Sequence, residues 1–182
     1  LTAGTLTVDA TTAGANAANT FTVNDFTQSG GTLTLDNANN AADEGVLSLK
    51  GDFTRTAGTF TATEPGALVD VSGTDVQELN FGPSSQLADL TFSNTGGLVT
   101  LLNTIRASGT VTVSVGAIVE TGNFNLVFNA ATGKMVNNGT IQTTGGTNGA
   151  VIFGGANFVA GGSNVDGMVL NAASAAVFSN II

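Results

Sequence analysis

The amino-acid sequence predicts an all-β protein folded as a right-handed parallel β-helix, or solenoid, with rungs of about 27 residues. Three observations favour this fold class. A short motif recurs at a fixed spacing, each copy alternates apolar and polar residues, and the last residues match a run that leads into the first ones. An antiparallel β-sandwich or jelly roll is the alternative, because it too is built from short strands between Gly- and Asn-rich turns.

The short motif is clearest in the first third of the chain. Gly4-Thr5-Leu6-Thr7 recurs as Gly31-Thr32-Leu33-Thr34 and again as Gly58-Thr59-Phe60-Thr61, with an equal step between the copies. The segment before the motif recurs in step, from residues 25–30 to residues 52–57. Within each copy the apolar and polar residues alternate with the period of two that is typical of a strand. One copy of the motif is therefore expected to belong to one rung.

Equivalent residues of successive rungs stack directly above one another in a parallel β-helix, at a spacing of ~4.8 Å. The equal step predicts one interior ladder of Leu6, Leu33 and Phe60, and another of Phe26 and Phe53. Coiling also closes and covers a parallel sheet without the help of helices. These ladders would fill the interior with apolar side chains.

Later copies of the motif are less regular. Gly109-Thr110-Val111-Thr112 and Gly139-Thr140-Ile141-Gln142 continue it at other spacings. The chain also contains a longer repeat. Asn94, Asn103 and Ile105 match Asn171, Asn180 and Ile182, all with the same offset along the chain. We expect the matched asparagines to form ladders in internal turns and not to bind a ligand.

The end of the chain leads into its beginning. Asn180-Ile181-Ile182 followed by residues 1–8 matches the internal stretch 103–113, with residues 5–8 aligned on residues 110–113. Because each repeat of a solenoid stacks only on its neighbours, an array can be cut anywhere. We interpret residues 1–182 as a single solenoid segment, one unit of a longer head-to-tail array whose partners are copies of itself. The residues expected to form the assembly interface are Leu1, Leu6, Val8, Val177, Phe178, Ile181 and Ile182.

The charge divides the segment into two parts. Residues 1–90 form acidic rungs with 11 acidic and 2 basic side chains, which is the whole net charge of −9. Residues 91–182 form low-charge rungs rich in Gly, Ala and Asn. An acidic half disfavours nucleic acids and anionic membrane surfaces, which bind clustered Lys and Arg. No apolar run approaches the ~20 residues of a membrane helix, so membrane insertion is not expected.

The sequence predicts no enzyme and no catalytic residue. The chain has no His and no Cys, so the usual general base and the strongest nucleophile are missing. Carboxylates alone can act on glycans, which makes a glycan-binding β-helix an alternative function and glycans of host or environmental surfaces alternative partners. The acidic residues that suggest it are Asp70, Asp75, Glu78 and Asp89, with Arg106 downstream.

Calcium is the one cofactor that the sequence suggests. Asp9 and Asp36 are separated by the step of the short motif, and so are Asp25 and Asp52. Each pair would therefore stack with like charges ~4.8 Å apart. A hard cation bound by carboxylate oxygens would relieve that repulsion. The simpler interpretation is that outward Asp residues keep the solenoid soluble, and on that interpretation the chain has no metal and no other cofactor.

Pairs of threonines flank an apolar residue in four copies of the motif. On a β-helix they would all point outward on one flat face, an arrangement that resembles the faces of ice-binding β-solenoids. The alternative is that Thr is a common polar strand residue whose stacked ladders stabilise a sheet. The residues of this predicted face are Thr5, Thr7, Thr32, Thr34, Thr59, Thr61, Thr110 and Thr112.

Five segments within residues 20–130 share the same pattern of strand-forming and turn-forming residues: residues 51–60, 71–77, 87–92, 99–101 and 108–113. They resemble the repetitive β-helical regions of large bacterial surface adhesins and filament proteins. Examples are repeats in secreted proteins of Bacteroidota and, more loosely, filamentous haemagglutinins and autotransporter passengers. The resemblance implies cell-surface attachment, gliding or filament formation, and it implies no particular ligand.

These patterns together predict a structural unit of an extracellular filament or giant cell-surface adhesin. The unit would assemble end to end through its terminal rungs, and hydrophobic stacks and backbone ladders would carry the mechanical load.

Overall fold

The computed structural model describes residues 1–8, 18–35, 44–83, 85–128, 134–143, 150–153 and 168–170. Within these ranges the chain forms strands, bends and turns but no helix, which confirms the all-β prediction. The strands of the described residues are β1 (Thr5–Val8), β2 (Ala18–Val23), β3 (Phe26–Leu35), β4 (Glu44–Leu49), β5 (Phe53–Thr61), β6 (Ala67–Val71), β7 (Gln77–Asn80), β8 (Gln86–Leu87), β9 (Asp89–Phe92), β10 (Leu98–Leu101), β11 (Ile105–Ala107), β12 (Thr110–Val113), β13 (Ile118–Glu120), β14 (Asn125–Phe128), β15 (Lys134–Asn137), β16 (Thr140–Gln142), β17 (Ala150–Phe153) and β18 (Met168–Leu170).

The strands form three parallel sheets that run along a common solenoid. Sheet I has the order β1-β3-β5-β7-β10-β13-β16, sheet II has β8-β11-β14-β17, and sheet III has β2-β4-β6-β9-β12-β15-β18. Every pairing between these strands is parallel, and from β7 onward the chain visits sheets I, II and III in turn. The parallel β-solenoid is thus confirmed, and the antiparallel sandwich is wrong.

The long strands β3 and β5 cover two sides of the solenoid at once. Phe53 and Thr54, at the start of β5, pair with β7 in sheet I. Ala62, directly after the end of β5, forms a bridge with Leu87 of β8, which belongs to sheet II. The second halves of β3 and β5 therefore lie on the same side as sheet II. Strand β1 lies there too, because it pairs with Thr32–Leu35, the second half of β3.

The length of a rung changes along the chain. Thr5 pairs with Thr32 and Thr32 with Thr59, which confirms the predicted step of about 27 residues for the first rungs. From β7 to β16 the rungs are about 22 residues apart, since Glu78 pairs with Thr100. Most of the difference lies in the connection that leads into sheet III: nine residues separate β1 from β2, whereas one residue separates β8 from β9. The last described partners are again farther apart along the chain, since Leu126 pairs with Val151 and Met135 with Met168.

The interior is a stack of apolar side chains, as the alternation predicts. Leu33 pairs with Leu6 on one side and Phe60 on the other, and Phe26 pairs with Phe53, so both predicted ladders are confirmed. The rings of Phe26 and Phe53 stack with their centroids 5.3 Å apart and their planes 17° apart. Phe53 also contacts Phe81 of the next rung at 4.6 Å between centroids. This continuous aromatic stack joins three rungs.

Glycine is required where β3 and β5 bend from one side to the next. Gly31 and Gly58 adopt φ angles of 64° and 85°, in the left-handed region that side chains disfavour. A Cβ atom on Gly58 would lie 2.6 Å from the carbonyl oxygen of Gly30, so a side chain would also push the rungs apart. The glycine of the repeated motif therefore marks a corner.

Copies of the Gly-Thr motif lie on different sides, which corrects the alignment of the chain's end with its beginning. Thr5–Val8 lies on the side of sheet II, whereas Thr110–Val113 belongs to sheet III and Thr140–Gln142 to sheet I. The match between residues 5–8 and residues 110–113 is therefore not a structural equivalence. The physical reason is that glycine suits a bend on any side of the solenoid, and every following strand needs the same alternation.

We predict that Phe53→Ala lowers the free energy of unfolding by about 3–5 kcal/mol, because Phe53 is fully buried and contacts three other rings. Val115→Ala, at a side chain that is 75% exposed, should change it by less than about 0.5 kcal/mol. Urea unfolding followed by circular dichroism measures both values. Equal losses in the two variants would contradict a stabilising role of the aromatic stack.

Candidate functional site

The corner between sheets III and I, which we call the III–I corner, holds Asp25 and Asp52, two of the four aspartates that the sequence suggests for calcium. It comprises residues 24–25, 50–52, 72–76, 93–97, 114–117 and 138–139. The backbone N–H of Asp52 donates to Oδ1 of Asp25 at 2.9 Å, and that of Glu78 donates to Oδ1 of Asp52 at 2.8 Å. Each carboxylate thus binds the amide of the rung that follows it.

This arrangement gives Asp25 and Asp52 a structural explanation that needs no cation, because each carboxylate accepts a hydrogen bond from a backbone amide of the following rung. Asp89 makes the same kind of hydrogen bond between sheets II and III, where its Oδ1 accepts from the backbone N–H of Thr110 in the next rung. In the described ranges no group of three or more His, Cys, Asp or Glu residues is placed to hold a metal ion. Asp9 and Asp36, the other two candidates, lie outside these ranges.

Buried amide side chains complete the same corner. Asn94 Nδ2 donates to the carbonyl oxygen of Asp75 and to Oε1 of Gln77, both at 2.7 Å. Its Oδ1 accepts from the backbone N–H groups of Gly96 and Gly97, both at 2.9 Å. Gln77 Nε2 in turn donates to two backbone carbonyls of the preceding rung, those of residues 49 and 51. The two amides therefore bond three successive rungs together.

In the corner between sheets I and II, the amide of Asn103 and the guanidinium of Arg55 bond the backbone of neighbouring rungs. Asn103 accepts from the N–H of Phe81 at 2.8 Å and donates to the carbonyl of Gly82 at 2.9 Å. Arg55 donates to the carbonyl oxygens of Phe81, Gly58 and Pro83. Burial lowers the pKa of the Arg55 guanidinium below its usual value, and these carbonyls replace the water that it loses.

Asn94 and Asn103 both lie in internal turns and bond the turn backbone. The ladders with residues 171 and 180 stay a prediction, because those counterparts lie outside the described ranges. Sequence analysis missed Gln77, which belongs to no repeat, and Arg55, which takes the place of Gln28 in the repeated segment. The only available signal was a polar residue at a position where the alternation calls for an inward side chain.

The threonines form two ladders on the side of sheet II. Thr5, Thr32 and Thr59 pair in one column, and Thr7, Thr34 and Thr61 pair in the next. Beyond them that side presents Gln86, Arg106 and Val127 at the outward positions, which ends the ladder. Thr110 and Thr112 lie in sheet III, so the prediction that all four pairs share one face is wrong for the fourth pair.

The acidic residues considered for glycans are not gathered at one place. Asp70 and Asp89 lie in sheet III, Glu78 lies in sheet I, and Arg106 lies in sheet II. Asp70 Oδ1 accepts a hydrogen bond from the hydroxyl of Ser93 at 2.6 Å. The group predicted from sequence proximity is therefore spread over three sides of the solenoid.

Of the predicted assembly residues, the structure describes those of the first strand. Leu1, Leu6 and Val8 belong to β1 or precede it, and β1 is the outermost strand of sheet I. The Leu1 backbone nitrogen donates to the carbonyl of Thr27 at 2.6 Å, and the Leu1 carbonyl accepts from the backbone N–H of Ser29 at 3.0 Å. Val177, Phe178, Ile181 and Ile182 lie outside the described ranges.

No protein-family model, no curated protein and no solved structure matches the chain. In the residues that the structure describes, we find no helix of the length and apolarity required to cross a membrane. The function is therefore argued from the geometry of the solenoid itself.

We predict that Asn94→Ala lowers the free energy of unfolding by about 2–3 kcal/mol, because it leaves buried amide and carbonyl groups of the III–I corner without partners. Gln86→Ala removes an exposed amide from β8 and serves as the matched control, with an expected loss below about 0.5 kcal/mol. Thermal unfolding of both variants is the measurement. A loss in Asn94→Ala no larger than that of the control would show that the corner amides contribute nothing.

Proposed function

We propose that the chain is a structural segment of an extracellular filament or giant cell-surface adhesin, whose stacked rungs give the assembly its length. One observation supports this most directly: three parallel sheets continue in register from rung to rung around one apolar interior. In such a solenoid each rung contacts only its neighbours, so length increases simply by adding rungs, at ~4.8 Å each.

The arrangement of hydrogen bonds suits a load along the solenoid axis. Backbone hydrogen bonds between parallel strands join one rung to the next, and from β7 onward three sheets provide them side by side at each level. The aromatic stack of Phe26, Phe53 and Phe81 and the corner amides Gln77 and Asn94 connect the same rungs. An axial force is therefore shared by several independent connections.

Assembly end to end is part of the proposal. Among the described strands, β1 ends sheet I, and its outer edge is where a further parallel strand would bind, on the same side as Thr32–Leu35. Continuation there is either covalent, within one long polypeptide, or between separate subunits.

We predict that antibodies raised against the 182-residue chain label intact cells of the source organism. We also predict that sheared surface material contains the antigen in elongated particles under the electron microscope. Mass spectrometry after complete denaturation then distinguishes a subunit near 18.0 kDa from a much longer polypeptide. Antigen found only after cell lysis, in compact particles, would contradict the proposed role.

Ice binding is a second candidate, favoured by the register of the six threonines on the side of sheet II. Their two ladders extend over three rungs, and Thr5, Thr7 and Thr59 are exposed. Repeats of ~4.8 Å across the strands and ~6.6 Å along them give a regular two-dimensional array of methyl and hydroxyl groups.

We predict for this candidate that the chain shows thermal hysteresis that Thr32→Tyr and Thr34→Tyr abolish. Thr112→Tyr is the matched control, because Thr112 lies in sheet III and away from the two ladders. A nanolitre osmometer measures the freezing gap of all variants at equal concentration. Absence of hysteresis in the unmodified chain, or equal loss in the control, would remove ice binding from consideration.

A further inference from the structure

The III–I corner that follows β15 contains a chemically labile dipeptide, Asn138-Gly139. Asparagine is among the thermolabile residues of proteins, and a following glycine favours the reaction because it has no Cβ to hinder its own nitrogen. That nitrogen attacks Cγ, the side-chain carbonyl carbon of the asparagine, and closes a succinimide ring. The reaction needs no enzyme and no cofactor, so the surrounding structure decides whether it occurs.

In the folded chain the attacking atom is already engaged in a hydrogen bond. The backbone N–H of Gly139 donates to Oδ1 of Asn137 at 3.1 Å, and Asn137 is fully buried. Attack requires that this N–H lose its proton and that its nitrogen turn toward Cγ of Asn138. The hydrogen bond has to break first, and breaking it leaves a buried acceptor without its donor. Asn137 therefore holds the reactive nitrogen in place.

The backbone on both sides of the dipeptide is bonded to the preceding rung. The N–H of Asn138 donates to the carbonyl of Val113 at 2.8 Å, and that of Thr140 donates to the carbonyl of Ala117 at 2.9 Å. Gly139 is buried between them, and a Cβ atom on it would lie 2.5 Å from the carbonyl oxygen of Ala117. The peptide between Asn138 and Gly139 is thus held from both ends and packed against the rung before it.

We propose that Asn138 is a latent deamidation site, which the closed III–I corner keeps unreactive and which reacts when this corner opens. After opening, hydroxide takes the proton of the Gly139 nitrogen, and the nitrogen bonds to Cγ of Asn138. The amide group of the side chain leaves as ammonia by taking a proton from water, which regenerates the hydroxide. A second water molecule then adds to the succinimide and gives aspartate or isoaspartate at position 138.

Both products hinder the corner from closing again. Aspartate places a negative charge at a half-buried position, and isoaspartate adds one CH₂ group to the main chain beside the tightly packed Gly139. An opening that is reversible at first therefore becomes permanent once the reaction has taken place. Position 138 would in this way record which molecules have opened at their later rungs, whatever the solenoid is used for.

The first test compares the folded 182-residue chain with the same chain unfolded in guanidinium chloride, both kept at mildly alkaline pH. Mass spectrometry of proteolytic peptides follows the conversion of the Asn138 amide to a carboxylate. We expect the reaction in the folded chain to be at least about tenfold slower, because it must wait for local opening. Asn148-Gly149 is the internal reference in the unfolded chain, where both dipeptides should react at similar rates. This comparison needs no variant.

Three variants test the part played by the corner. Asn137→Ala removes the acceptor of the Gly139 N–H and should raise the rate in the folded chain about fivefold or more. Asn94→Ala is the matched control, because it weakens an earlier turn of the same III–I corner and leaves the bond between Asn137 and Gly139 in place. Its rate should rise much less. Asn138→Gln should abolish the signal and thus assigns it to position 138.

Equal rates in the folded and the unfolded chain would overturn the proposal, since the corner would then give no protection. A stable Asn138 in an unfolded chain whose Asn148 reacts would overturn it too, because the site would not be labile. Equal acceleration by Asn137→Ala and Asn94→Ala would show that global unfolding and not the local corner controls the reaction, and the proposed role of Asn137 would be wrong.

Discussion

In-register stacking of parallel strands is the constraint on which the rest of the structure depends. Because each residue lies directly above its equivalent in the preceding rung, a side chain must suit its neighbours in its own column. Phe26 stacks on Phe53, and Leu33 lies between Leu6 and Phe60. The same rule places threonine on threonine outside.

Stacking leaves the corners as the difficult places, because strand ladders cannot satisfy every backbone group where the chain turns. Buried amides and carboxylates perform that task here: Asn94, Gln77 and Asn103 bond corner backbone, and Asp25 and Asp52 each accept from the rung that follows. Residues that suggest a ligand site in the sequence are thus part of the scaffold. Acidic columns are tolerated because the backbone amides offset their repulsion.

The interior uses only alternate residues, so the outward positions are free to differ from side to side and from rung to rung. The side of sheet II begins with threonine ladders, whereas the corner that leads into sheet I carries Asp25, Asp52 and Asp75. These outward residues differ although the apolar interior continues unchanged behind them.

The sequence by itself determined the strands, the parallel stacking and the interior ladders, because period-two alternation and the equal step between motif copies are local and repetitive. It could not determine the side on which a given strand lies, since the pattern Gly-Thr-apolar-Thr occurs at corners and strands on every side. The sequence therefore predicts one shared face for Thr110 and Thr32 and one acidic site for Asp70 and Glu78, although each pair is divided between two sheets. Only the tertiary structure decided the length of each connection between the sheets, and hence the rung length. It alone brought Gln77 to Asn94, because this contact joins rungs whose spacing in sequence varies.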